Sequence, residues 1–234
     1  VLRRLTAGLL AIGLVSAPAA AQVDPRNPTC PRDPEWAATI RQMQFTLEQV
    51  DGKSVLLAEG TVDSDAPTRL QAALAAHRDI DEIWLRSAGG DARVGNQLGR
   101  IIRETGIPTR IPRGWACFSA CNFVFMGGLI RYVDQGGLFI VHMFTHTNDR
   151  GALRAELSRG ENEAVELIGE IEQQSALLAS EDNDFLIRMG VSRRLLTEVM
   201  YQTPAVAERN RSTRRCLTQD EVNRYNVATA PWRG

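Results

Sequence analysis

The stretch "IDEIWLRSAGGDARVGNQLGRIIRETG", Ile80 to Gly106, decides the fold. Its first part, Ile80 to Ser87, is a short apolar run of the kind that forms a buried strand. From Ala92 onward the apolar residues recur at helical spacing, which predicts an amphipathic helix. Between the two, Gly89-Gly90 lets the chain turn tightly and leaves backbone N–H groups unpaired at the strand end. Strand, glycine turn and helix in that order make one unit of a layered α/β domain.

The alternation continues on both sides. "APTRLQAALAAH" (Ala66 to His77) reads as the preceding helix, "IPTRIPR" as the following strand, and "LIRYVDQGGLFIVHMF" as two strands around Gly136-Gly137. Between those strands, "GWACFSACNFVFMGG" (Gly114 to Gly128) reads as a short apolar helix with Ser119 at its mouth. Upstream, "MQFTLEQVDGKSVLLAEGTVD" carries two β-type runs about Asp51-Gly52, the composition of a hairpin turn. Downstream, Gly151 to about Ser180 is one long charged helical stretch with an apolar face, suited to packing on the sheet or to contact with another copy. Two further helices and a last short strand are expected in "NDFLIRMGVSRRLLTEVM" and "CLTQDEVNRYNVAT", where Thr218 and Glu221 have the spacing of a capping box. The pattern predicts an α/β domain with crossover connections.

The chain opens "VLRRLTAGLLAIGLVSAPAAAQ": two arginines, an apolar run from Leu5 to Val15, then Ala19-x-Ala21. Those are the three regions of a secretory signal peptide, too short for a stable membrane span. Residues 1–21 are therefore expected to be a signal peptide, 22–58 a leader and hairpin, and 59–234 one domain that is periplasmic or secreted. The four cysteines, Cys30, Cys117, Cys121 and Cys216, are disulfide candidates in such a compartment, with three possible connectivities. A formal net charge of −1 gives no reason to expect a nucleic-acid partner. No Cys/His cluster has metal-ligand spacing, so neither a metal nor another cofactor is expected.

Three features carry candidate chemistry. The Gly89-Gly90 turn offers backbone donors of the sort that form an oxyanion hole, although glycine pairs end many strands. Ser119 stands at a helix mouth, where its hydroxyl either caps the helix or acts as a nucleophile with the adjacent N–H of Ala120 in reach. His142 ends the strand "LFIVHM" and can serve as general base, since an imidazole titrates near neutrality. The other histidines are His77, on an early helix, and His146, four residues beyond His142.

This order of strand-end glycine pair, helix-mouth serine and strand-end histidine resembles the proteolytic subunit of the Clp protease, in the wider ClpP/crotonase superfamily. The likeness runs from "EGTVD" through "IWLRSAGGD" to "FIVHM", resumes weakly in "CLTQDEVNRYNVAT", and is greatest for exported ClpP-like proteins with a Cys-x-Ser-Ala-Cys core. The resemblance implies a ClpP/crotonase-like spiral of ββα units in a single domain. It further implies Ser119 as nucleophile, His142 as base, Gly89, Gly90 and Ala120 around the oxyanion, and a homo-oligomer. Ala88 departs from the proline of that family. The third triad residue is hard to place: one count lands near Glu198, the site taken here, and another near Glu208 or Asn210. The Ser-Lys peptidases of the superfamily use a lysine base, but the only lysine here, Lys53, precedes the whole constellation.

The expected function is a secreted serine hydrolase acting on peptide or protein substrates without ATP. A non-catalytic periplasmic binding or assembly module on the same fold is the alternative. Acyl-CoA chemistry uses a similar oxyanion hole, but CoA is a cytosolic metabolite.

Overall fold

A computed structural model of the chain describes residues 23–24, 27–144, 150–206 and 213–230. The expected signal peptide, His146, Glu208 and Asn210 lie outside the described residues.

The leader forms β1 (Val23–Asp24) and β2 (Asn27–Pro31), a two-stranded antiparallel pair. The hairpin expected at Asp51-Gly52 is β3 (Gln44–Val50) and β4 (Lys53–Glu59), paired antiparallel. Asp51 takes φ 50° and Gly52 φ 77°, the left-handed conformations that a two-residue turn of this kind requires. Then follow α1 (Ala66–Ala76), β5 (Glu82–Arg86), α2 (Ala92–Thr105), β6 (Thr109–Ile111), β7 (Ala116–Phe118), α3 (Ala120–Met126), β8 (Arg131–Val133) and β9 (Leu138–His142). A helical region, α4 (Arg150–Leu157) and α5 (Glu161–Arg188), leads to α6 (Arg194–Glu198), β10 (Arg214–Cys216) and α7 (Gln219–Arg224).

Besides the β1-β2 pair, the described strands form two sheets. The larger is five-stranded, in the order β3-β4-β5-β6-β8, parallel from β4 onward; the smaller is β10-β9-β7, with β7 and β9 parallel. The two are joined where the chain leaves β5, since Ser87 bridges to Cys117 of β7. From β6 onward successive strands alternate between the two, β6 and β8 in the larger and β7 and β9 in the smaller, so β8 and β9, adjacent in sequence, lie in different sheets. The hairpin strand β4 buries Leu56 and Ala58 in the same core as Ile83, Leu85 and Val141, so the hairpin is part of the domain.

Helix α2 shows why the decisive stretch folds as it does. Asp91 caps it, its carboxylate accepting from the N–H groups of Arg93 (2.8 Å) and Val94 (3.1 Å), an arrangement worth about 1 kcal/mol. Leu98 and Ile102 face the core, and Gly106 ends the helix at φ 71°. Gly95 and Gly99 lie against α3. A Cβ on Gly95 would stand 2.5 Å from the Ala120 carbonyl oxygen, and one on Gly99 2.4 Å from that of Phe123. Backbone therefore packs on backbone, and α3 is pinned where Ser119 begins it.

Several expectations are corrected. The long helix is two, because Gly160 at φ 153° interrupts it, and α5 runs on through the segment "NDFLIR". The short strand β7, read as part of the Ser119 helix, has three residues, too few for a periodicity to register. Among the described residues the last strand, expected in "NVAT", is not formed; the Thr229 N–H instead donates to the Arg131 carbonyl (3.1 Å), and the late strand is β10. The capping box at Thr218 and Glu221 is present.

Candidate active site

Ser119 sits between β7 and α3 with φ 57° and ψ −123°, a backbone conformation that costs a non-glycine residue on the order of 1–3 kcal/mol. Its side chain makes no capping hydrogen bond to the helix. Instead Oγ lies 2.7 Å from Nε2 of His142. The hydroxyl is thus turned away from the helix it would cap and toward the imidazole.

The strand ladder brings the pair together. β7 and β9 run parallel with Phe118 opposite Ile140, so the residue after β7 meets the end of β9. The Ile140 carbonyl accepts from the Ser119 N–H at 3.3 Å and from Asn122 Nδ2 at 2.7 Å, tying the helix mouth to the strand that carries His142. Two disulfides brace the region. Cys117–Cys121 closes a loop around Ser119, and Cys30–Cys216 joins the leader to β10, the neighbour of β9.

His142 is half-buried, and its ring rests 4.7 Å, centroid to centroid, from that of Phe118. Burial pushes its pKa below 6.5, opposed by a hydrogen bond with the Met143 backbone. The imidazole is thus held neutral at physiological pH, the form a general base needs. With the ring proton on Nδ1, toward that backbone, Nε2 presents its lone pair to the Ser119 hydroxyl.

The glycine turn supplies the third part. Gly89 has φ 89°, and a Cβ there would stand 2.7 Å from Ser119 Cβ and 3.0 Å from the Ala120 nitrogen. Only glycine fits beside this serine. Its own N–H, however, donates to Ser87 Oγ at 3.0 Å, so Gly89 shapes the turn and is not an open donor. Gly90 differs. Its bridge to Val62 uses the Gly89 carbonyl and the Asp91 N–H, which leaves the Gly90 N–H directed away from Val62. Neither that N–H nor the N–H of Ala120 meets an acceptor among the described residues. Ser87, wholly buried, holds the turn by donating from Oγ to the Gly60 carbonyl (2.5 Å).

Glu198 is placed elsewhere. One carboxylate oxygen accepts from Arg194 and the other from the Tyr225 hydroxyl (3.0 Å), so both are occupied on α6, and Glu198 does not line the cavity at Ser119. No carboxylate among the described residues hydrogen-bonds His142. Lys53 bonds Glu82 at 2.5 Å, where β4 and β5 begin, at the opposite end of these strands from the glycine turn.

A cavity of about 40 Å³ opens beside the pair. Its apolar wall includes Phe123, Met126, Phe139, Phe144, Leu178 and Met200, and its polar groups are Ser119, His142, Asn122 and Asp182. Sequence reasoning missed the last two. The signal for Asn122 was a lone amide within the apolar run "ACNFVFM"; Asp182 looked like one more charge on a charged helix.

The layered α/β arrangement brings the glycine turn, the helix-mouth serine and the strand-end histidine together in chain order. Solved structures to which the chain is similar include a point mutant of ClpP1 from Listeria monocytogenes, at 12% identity over 74% of this chain and 88% of that one, with a TM-score of 0.49. Another is a serine-to-alanine mutant of the membrane-bound stomatin-specific protease 1510-N, at 13% identity over 75% of each chain and a TM-score of 0.47. A methylmalonyl CoA decarboxylase is similar over 40% of this chain and 46% of its own, with 15% identity and a TM-score of 0.31. No protein-family model matches the sequence, and no curated protein does.

Proposed function

We propose that this chain is an exported serine hydrolase that cleaves peptide or protein substrates without ATP. The observation that carries the reading is the 2.7 Å contact of Ser119 Oγ with His142 Nε2, made by a serine that caps nothing. In this mechanism His142 takes the hydroxyl proton as Oγ attacks the acyl carbon. The N–H groups of Gly90 and Ala120 receive the charge that develops on the carbonyl oxygen. His142 then protonates the leaving amine, and water repeats the sequence to release the acyl group. The Met143 backbone and the Phe118 ring hold the imidazole in the role that a carboxylate fills in a full triad.

Two disulfides support an oxidising compartment, and no helix among the described residues is long and apolar enough to cross a membrane. Val165, Ile168 and Leu177 on α5 are exposed apolar residues, which suits contact with a second copy.

Digestion of a synthetic peptide library, followed by mass spectrometry, tests the reading. The native protein is expected to release defined fragments and Ser119→Ala none; equal cleavage by both overturns it. That no carboxylate among the described residues bonds His142 favours the second reading, a binding or assembly module on the same fold, which predicts no cleavage by either protein.

A further inference from the structure

Asp182 belongs to the helix α5, yet it is only 3% exposed and lines the cavity that holds Ser119 and His142. Its Oδ1 accepts a long hydrogen bond, 3.3 Å, from Asn96 Nδ2 on α2. Its other oxygen meets no donor among the described residues. Nearby, Asn122 Oδ1 is buried and also lacks a donor, and it lines the same cavity. Most of the remaining wall is apolar. A carboxylate so largely buried with one oxygen left without a donor is a costly arrangement, and a ligand's donor at the cavity would relieve it.

We propose that this cavity is the side-chain pocket of the hydrolase site and that it takes lysine, its methylenes along the apolar wall and its ammonium on Asp182. This rests on the hydrolase reading above. The groups are complementary: an ammonium carries donors and no acceptor, and two of its three donors find oxygens that lack one, the open oxygen of Asp182 and Asn122 Oδ1. A single open carboxylate oxygen suits a point charge better than the two-pronged guanidinium of arginine. The cavity is narrow as it stands. Met126 and Met200 in its wall are unbranched side chains that move aside at low cost, so it widens around a slender chain. A wholly apolar side chain fills the wall but leaves the carboxylate without a donor, which is the basis of discrimination.

The test is a calorimetric titration of the full chain carrying Ser119→Ala, at pH 8, with acetylated tetrapeptide amides that differ only in lysine, norleucine or arginine at the position before the scissile bond. Lysine is expected to bind at least about tenfold tighter than norleucine, and the difference to vanish in Ser119→Ala/Asp182→Asn. Norleucine binding as tightly as lysine overturns the proposal without reference to any Asp182 variant, and so does a lysine preference that survives Asp182→Asn. Binding needs no catalysis. A native protein that cleaves nothing while the lysine preference holds would remove the hydrolase reading and keep the pocket; cleavage indifferent to lysine and to Asp182 would do the reverse.

Discussion

The side-chain amide of Asn122 donates to the Ile140 carbonyl at 2.7 Å, the same oxygen that accepts the Ser119 N–H. Through that one oxygen, the first turn of α3 is fastened to the strand that ends in His142. Asn122→Leu keeps the volume and removes the fastening. Its rate of peptide cleavage is expected to fall by about tenfold or more, because small displacements of a nucleophile from its base are costly. An unchanged rate would show that the ladder alone sets the geometry.

Gly89→Ala should be worse. The residue has φ 89°, and its new methyl would meet Ser119 Cβ and the Phe118 carbonyl oxygen, at 2.7 and 2.6 Å. The backbone has to shift at the nucleophile, so cleavage is expected to drop by roughly two orders of magnitude. Stability should fall by about 1–3 kcal/mol, read from a denaturant midpoint.

Much of this site was legible in the chain itself. Ser119, His142 and the glycine turn each sit at the end of a regular element, where a change of periodicity marks the position. Asp182 was not legible, because its burial depends on how α5 lies across the cavity, a long-range relation that spacing along one helix does not encode. Glu198 failed for a different reason: a count carried across a segment of altered length can land on a residue whose oxygens are already taken by Arg194 and Tyr225. The leader became intelligible only through Cys216, 186 residues away, and β7 was too short to announce itself.

The two disulfides should separate stability from activity. In the chain-entropy view, the long loop closed by Cys30–Cys216 contributes about 5 kcal/mol and the short loop of Cys117–Cys121 about 2 kcal/mol. Cys30→Ser/Cys216→Ser is therefore expected to lower the Tm more, whereas Cys117→Ser/Cys121→Ser lowers the cleavage rate more, since it frees the backbone that bears Ser119. The opposite ranking would contradict the roles assigned to them.

Two carboxyl groups should give stability opposite slopes with pH. Burial pushes Asp182 up to about 7, against its Asn96 hydrogen bond and aided by the charge of Glu181. The folded state then holds a proton that the unfolded state has released, so stability declines from about pH 4 to pH 7, by on the order of 4 kcal/mol, and levels off above. Asp182→Asn should flatten that slope. Burial also raises Glu82, but hydrogen bonds from Arg110, Lys53 and Trp84 outweigh it and hold it at about 2. Its contribution is present above pH 4.5 and lost as pH falls toward 2. Chemical denaturation across that range, with and without Asp182→Asn, measures both.

The activity profile has a different origin. Cleavage should rise with pH as His142 loses its proton, with a midpoint below 6.5. Among the described residues, Asp182 in the same cavity and Tyr201, which feels its charge, also titrate, and Glu181 is paired with Arg93. If the limb belongs to His142, it persists in Asp182→Asn; a limb that moves with that substitution belongs to Asp182.

The central claim is that Ser119 is an activated nucleophile. Fluorophosphonate labelling of the purified protein, read as an intact-mass shift and mapped by peptide sequencing, tests it directly. One adduct, on Ser119, absent in Ser119→Ala and reduced by at least about a hundredfold in His142→Ala, is the predicted result. A folded protein that takes no label, or takes it equally without His142, would contradict the account.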